Sequence, residues 1–219
     1  MTDYAHAYRG VRERVSSLVR EAGDDGIESI APAAPEWRVR DVVAHLSGIC
    51  ADVLDGNLEG VATDSWTATQ VDHRRGWPIE ELLAEWEEKG RAIEAMVPDF
   101  PEIVVGQMIA DAVTHEHDIR GALGTPGARD SDAVDIGCRW GAQVLDGSVP
   151  LCLETDAGPV LVGEGDPVAT VRASRFELAR TMTGRRSLDQ VRAYDWDGEP
   201  RAEQLVLAIF APRPTPLVE

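Results

Sequence analysis

Cysteine is scarce and scattered, with three residues in 219: Cys50, Cys138 and Cys152. An odd number at long spacings predicts no disulfide framework, and without a CxxC pair a thiolate zinc site has no support. Buried free thiols in a reducing cytoplasm are the expected state. Long apolar runs are missing as well. No stretch reaches about 18 apolar residues, and no charged-then-apolar leader opens the chain, so neither a membrane span nor a signal peptide is expected. Positive charge is in deficit: 21 Lys and Arg stand against 39 Asp and Glu, a formal net charge of −18. Such a surface repels phosphate backbones and anionic lipids, which argues against nucleic-acid and membrane partners. Internal repeats and low-complexity segments are also absent. What is there is globular in composition, with 43% hydrophobic and 27% charged residues, and the length suits one large domain or two small ones.

Residues 1–128 carry helical periods. Tyr4 to Ala22 sets Val11, Val15, Leu18 and Val19 at helical spacing; Arg38 to Asn57 gathers Val39, Val42, Val43, Leu46, Ile49, Cys50, Val53 and Leu54 on one broad stripe. Pro78 to Met96 opens on proline and two glutamates, Glu80 and Glu81, and stops before Pro98, as helix ends do. A fourth helix, Val104 to Leu123, is closed by Gly124 and Pro126. With long connections over 23–37 and 58–77, these predict a four-helix bundle. Past it the texture changes. Leu151–Thr155 and Val160–Val162 flank a turn at Asp156-Ala157-Gly158-Pro159, and Thr170–Ala173 reads as another strand. Ser174 and Glu177 form a capping box for a helix over Arg175–Thr183 that Gly184 ends; Val191–Trp196 reads as a strand and Ala202–Ile209 as a last helix. Strands mixed with helices predict a small α+β domain over 129–219, hence an α+β fold overall. Pro212, Pro214 and Pro216 predict a loose or disordered tail.

Asp111 and His115 stand four apart on the fourth helix, and His45 lies at the edge of the second helix's stripe. A spacing of four puts two side chains on one face about one turn apart, near enough to hold one ion, and bundles build metal sites from facing helices. A carboxylate and two imidazoles suit zinc or another first-row divalent metal, with a coordination position left open for chemistry. Plainer readings fit the same residues. A histidine beside an apolar stripe is often a hydrogen-bonded packing residue, and an Asp/His pair on a surface helix is often a solvated ion pair. Asp118 shares the flank of His115, either as an acceptor for a ligand histidine or as a surface carboxylate. His117 is two residues from His115 and faces elsewhere, so His115-Glu116-His117 is no chelating triplet. Glu116 falls on the apolar side of the wheel, where periodicity gives it no role.

The neighbourhoods of these residues resemble a known family. Pro35-Glu36-Trp37-Arg38-Val39-Arg40-Asp41-Val42-Val43-Ala44-His45-Leu46 is similar to the "PGWTVRDVVAHL" segment of the mycothiol-dependent maleylpyruvate isomerase family, within the DinB-like bundle superfamily. Residues 111–124 are similar to that family's "E-x-x-x-H-x-x-D" helix, which commonly reads "ELVVHGWDLARALG", and residues 71–76 also fit. Residues 170–174 and 178–187, with a "TGRR" turn, resemble the family's sterol-carrier-like C-terminal domain. The resemblance implies a zinc ion held by His45, Asp111 and His115, with water or a thiol in the remaining position and mycothiol as the thiol cofactor. It also implies an active-site arginine from the second domain. Arg185 and Arg186 are the candidates, with Arg201 a third, although surface charge at a helix C-terminus describes each of them equally well. Departures from the pattern are Asp111, where the usual acid is the longer glutamate, Arg38 in place of a Ser/Thr helix cap, and His117 in place of a common tryptophan.

The activity so implied is that of a cytoplasmic metal- and mycothiol-dependent enzyme acting on a small electrophile. A thiolate adds to an activated double bond, the carbon–carbon bond rotates, and elimination returns the thiol and the trans isomer; a thiol S-transferase makes the same addition and stops at the adduct. An arginine would grip a substrate carboxylate by a bidentate contact. From other classes, a non-catalytic small-ligand-binding protein with a vestigial metal site and a structural stress-response protein are the competing readings.

Overall fold

The computed structural model describes residues 2–219, and among these the chain forms eight α-helices and six strands, the expected α+β fold. The fold divides into two compact units. One takes the chain up to Val105 together with His115–Gly127; the other takes Gly106–Thr114 together with Ala128–Glu219.

The first unit contains α1 (Tyr4–Ile27), the short hairpin β1 (Ile30–Ala31) and β2 (Ala34–Arg38), α2 (Val39–Asp55), α3 (Asp64–His73), α4 (Ile79–Met96) and the C-terminal half of α5 (Glu102–Leu123). The periodic positions bury as their spacing demands: Val11, Val15 and Val19 of α1 and Val39, Val42 and Val43 of α2 have no exposed surface. Trp86 of α4 is fully buried between them, its indole N–H donating to the Tyr8 hydroxyl at 3.0 Å, which in turn lies 3.0 Å from Cys50 Sγ. Truncating such a residue to alanine costs about 3–5 kcal/mol. Along the same seam Arg12 of α1 is buried and binds Glu94 of α4 through Nε at 3.0 Å and Nη2 at 2.7 Å. Gly124 takes the left-handed conformation that closes α5, as the sequence predicts.

Several expectations for this unit need correction. The connection over 58–77 is not bare loop but holds α3, in which only Trp66 and Gln70 are buried, too thin an apolar signal for periodicity to register. The connection over 23–37 holds the β1–β2 hairpin, and α1 continues past Ala22 through a kink at Gly23. Arg38 gives no side-chain cap, and only the reciprocal bond forms: Asp41 accepts the Arg38 backbone N–H at 2.9 Å.

The second unit adds α6 (Asp132–Val144), β3 (Leu151–Thr155), β4 (Gly158–Val162), β5 (Ala169–Arg172), α7 (Arg175–Met182), α8 (Leu188–Arg192) and β6 (Asp195–Asp197). The sheet runs β4-β3-β5-β6, with β3 antiparallel to β4, parallel to β5, and β5 antiparallel to β6. Strand alternation sends Leu151, Leu153 and Val171 into a core shared with Cys138, Ala142, Leu178 and Met182 from α6 and α7, while Glu154 and Arg172 face out. Val191–Trp196 is not one strand: it begins in α8, which Ser187 caps, and only its end enters β6. Ala202–Ile209 is not a helix. A single 3-10 turn, Glu203–Leu205, forms there, and Leu207 then gives its N–H to Met182 O at 3.0 Å, a bond a helix would have kept internal. At the Ser174 cap the hydroxyl accepts the Glu177 N–H at 3.2 Å, but the Glu177 side chain turns to Arg186 instead of completing the box. The proline-rich tail is tied down: Arg213 N–H binds Arg186 O at 3.1 Å, Leu217 exchanges two bonds with the Gln190 amide, and the Glu219 carboxylate reaches Arg180 and Arg186.

Candidate metal centre

Three of the sequence-derived site residues come together. One donor atom from each of His45, Asp111 and His115 lies within 4.8 Å of the others, with both histidines buried and Asp111 half-buried. The i, i+4 spacing on α5 supplies the carboxylate and one imidazole; α2 supplies the second imidazole opposite them. The imidazole rings meet edge to face with centroids 5.0 Å apart.

Each imidazole is held through Nδ1. His115 Nδ1 is 3.0 Å from Asp118 Oδ2, so Asp118, wholly buried, is the acceptor that its place on the helix suggests. A carboxylate only accepts, so this Nδ1 carries a proton. His45 Nδ1 is 2.7 Å from Gln70 Oε1 on α3. Above both rings lies Trp37 of β2, its centroid 5.0 Å from that of His45 and 5.4 Å from that of His115, with which it stacks at 28°. The hairpin that carries Trp37 is pinned at its base by Glu28, which binds Arg40 at 2.8 Å and Arg38 at 2.7 Å; the Arg40 and Arg38 guanidiniums hold the Glu28 carboxyl below its ordinary range.

Glu116 now has a role. Its carboxylate has no exposed surface and accepts from Arg14 of α1 through Nε at 2.8 Å and Nη2 at 2.6 Å, and from Arg120 one turn along at 3.0 Å. Adjacent residues on a helix point about 100° apart. Fixing Glu116 toward α1 therefore fixes the rotation of α5 and with it the direction of His115. His117 is buried and does not join the cluster.

A zinc-like ion at about 2.1 Å from each donor would set tetrahedral donors about 3.4 Å apart. A set already within 4.8 Å thus closes by about 1.4 Å or less per pair. Two imidazoles, each engaged through Nδ1, and one carboxylate are also chemically suited to such an ion. The residues present fit a divalent metal.

The arginines sit in the second unit. Arg186 is buried, with its Nε 2.6 Å from Glu177 Oε2 and its Nη1 2.9 Å from Glu219 Oε2. Burial pushes the Glu177 carboxyl up, but hydrogen bonds and charge from Arg186 outweigh it and hold Glu177 below the usual range. Arg185 donates to Thr183 O at 2.7 Å and lies over the Phe210 ring at 5.8 Å, and Arg201 pairs with Glu199 at 3.4 Å. The sequence reading missed Gln70 entirely and assigned Trp37 no role. The i, i+4 pair Trp66/Gln70 and the Thr63 cap before it were the available traces of α3. No helix of the described residues is long and apolar enough to cross a membrane.

No protein-family model matches the chain, and no curated protein matches it in sequence. Two solved structures do share its fold, both of the mycothiol-dependent maleylpyruvate isomerase, one of them a histidine-to-alanine mutant. Each superposes with a TM-score of 0.57 at 11% identity, covering 83% of this chain and 88% of the other.

Proposed function

We propose that this protein is a divalent-metal- and thiol-dependent enzyme acting on a small electrophilic substrate, with mycothiol as its thiol and isomerisation of the maleylpyruvate type or S-transfer as its reaction. The observation that carries this reading is the convergence of His45, Asp111 and His115 within 4.8 Å. It is supported by the fold shared with the mycothiol-dependent isomerase. Zinc is the ion proposed, held by those three residues. A bound divalent ion acidifies a coordinated thiol and so supplies a thiolate nucleophile at neutral pH.

The chain's own groups prepare the site for that chemistry. Asp118 accepts from His115 Nδ1 and so orients the ring. Trp37 stacks on the His115 ring and packs at a tilt beside that of His45, setting an apolar side chain against both imidazoles. Arg185 and Arg186 are the two arginines proposed for a substrate carboxylate; Glu177 and Glu219 hold Arg186, and Thr183 O accepts from Arg185.

Elemental analysis of the purified protein, followed by calorimetric titration with mycothiol and with glutathione, tests the reading. The expected result is close to one zinc per chain and metal-dependent binding of mycothiol in preference to glutathione. A protein that takes up no divalent metal and binds neither thiol would overturn it and leave the small-ligand-binding alternative.

A further inference from the structure

The second imidazole of the cluster is held by a device that joins two helices, α2 and α3. His45 Nδ1 is 2.7 Å from Gln70 Oε1, and Gln70 Nε2 donates to Asp52 Oδ2 at 2.7 Å. The order of atoms in this chain is forced. An aspartate carboxylate only accepts, so the amide nitrogen of Gln70 must face Asp52 and its oxygen must face His45. An amide oxygen also only accepts, so His45 Nδ1 must carry a proton. Asp52 itself is fixed through its other oxygen, which accepts from Asn57 Nδ2 at 2.9 Å. Asp52 and His45 both belong to α2, and Gln70 bridges them from α3.

The placement of Gln70 is built for. A Cβ on Gly48 would stand 2.6 Å from Gln70 Cβ and 2.8 Å from its Cγ, so α3 approaches α2 this closely only because residue 48 has no side chain. Arg74, one turn beyond Gln70, donates to the Gln70 carbonyl at 3.2 Å and is itself clamped by Glu85 of α4 at 2.6 and 3.0 Å. Gln70 is buried on a helix whose other side chains, Trp66 apart, are not. A side chain so placed, with both ends of its amide assigned, does more than fill space.

We propose that Asp52 and Gln70 are positioning residues that lock His45 in the Nδ1–H tautomer and aim its Nε2 at the Asp111–His115 pair. Gly48 and Arg74 seat Gln70 for that purpose. The proposal rests on the metal-centre reading above for its purpose but not for its first measurement. Metal-free protein labelled with 15N at histidine reports the tautomer directly from the two ring-nitrogen shifts. Wild-type protein should show His45 as the Nδ1–H form alone. Asp52→Asn keeps the shape but can present either an oxygen or an amide to Gln70, so both tautomers should appear. Gln70→Leu removes the acceptor. Zinc affinity, read by competition with a chromophoric chelator, should fall roughly 10–100-fold in Gln70→Leu, the usual effect of losing the partner of a ligand histidine, and by less in Asp52→Asn.

An Nε2–H tautomer in the wild type, or a tautomer that Asp52→Asn and Gln70→Leu both leave unchanged, would refute the proposal. So would unchanged zinc affinity in Gln70→Leu. If the wild type binds no zinc, the metal reading fails, and the tautomer measurement still decides whether the relay exists. Should Gln70→Leu not fold, the isosteric Asp52→Asn carries the test by both readouts.

Discussion

Replacing His115 with alanine separates what this histidine does for the fold from what it does for the metal. In the metal-free protein the change removes a hydrogen bond to the buried Asp118 and the stack on Trp37. A hydrogen bond to a charged group contributes about 1.5–3 kcal/mol. At about 2–4 °C per kcal/mol for a chain of this size, the metal-free variant should melt roughly 3–12 °C lower than the metal-free wild type. That shift alone says nothing about metal. The response to zinc does. At free zinc of 100 times its dissociation constant, binding stabilises the wild type by about 2.7 kcal/mol, hence a rise of about 5–11 °C. If losing one of three protein donors weakens binding about 100-fold, the same zinc concentration stabilises the variant by only about 0.4 kcal/mol, a rise near 1 °C. Differential scanning calorimetry is the suitable assay, because a chain of two compact units can show two transitions and the response of each to zinc is then read separately. A His115→Ala protein whose melting temperature rises with zinc as much as the wild type's would refute the assignment of His115 as a ligand, whatever its baseline stability.

Asp111→Glu lengthens the carboxylate arm by one methylene, and zinc affinity in the competition assay should hold or rise, whereas Asp111→Ala should lose it; unchanged affinity in Asp111→Ala would refute residue 111 as a ligand. Glu116→Gln removes the charge that faces Arg14 and Arg120, and since breaking a buried ion pair costs about 3–5 kcal/mol, chemical denaturation should show a loss toward the low end of that range because Arg14 is partly exposed. Burial pushes the Cys50 thiol up to about 11 in the native state against about 8.5 unfolded, so the unfolded chain loses its proton first; urea melts should show stability intact below about pH 8.5 and falling as pH climbs toward 11, with a shallower fall in Cys50→Ala. On the acid side, Glu85 and Glu177 are half-buried yet held below the usual range, Glu85 by Arg74 and Ser47 and Glu177 by Arg186, so the unfolded chain takes up protons first. Stability from these pairs should be full above about pH 4.3 and drain as pH falls below it, and an acid titration that leaves stability flat to pH 3 would contradict the pairing.

The cluster was legible because its chemistry follows local rules. A spacing of four on one helix is a statement about geometry that needs no tertiary structure, and the stripe of α2 placed His45 at a margin that bundles turn inward. The orientation of these side chains was not legible, since it depends on residues whose own reasons lie elsewhere in the chain. Glu116 reads as an error on a helical wheel until Arg14, 102 positions away, is found holding it. Gln70 reads as one polar residue among many until Gly48 is seen to admit it and Asp52 to turn its amide. The failed readings of the second unit share this cause. Ala202–Ile209 has the composition of a helix, but the bond from Leu207 to Met182 and the burial of Leu205 against the sheet core decide its path, and neither leaves a period in the sequence. Periodicity reports which face of an element is buried. It does not report what a buried polar group is bonded to, and in this protein those bonds aim the two imidazoles: the α1–α5 ion pair sets the rotation of one helix, and the Asp52–Gln70 amide sets the tautomer on the other.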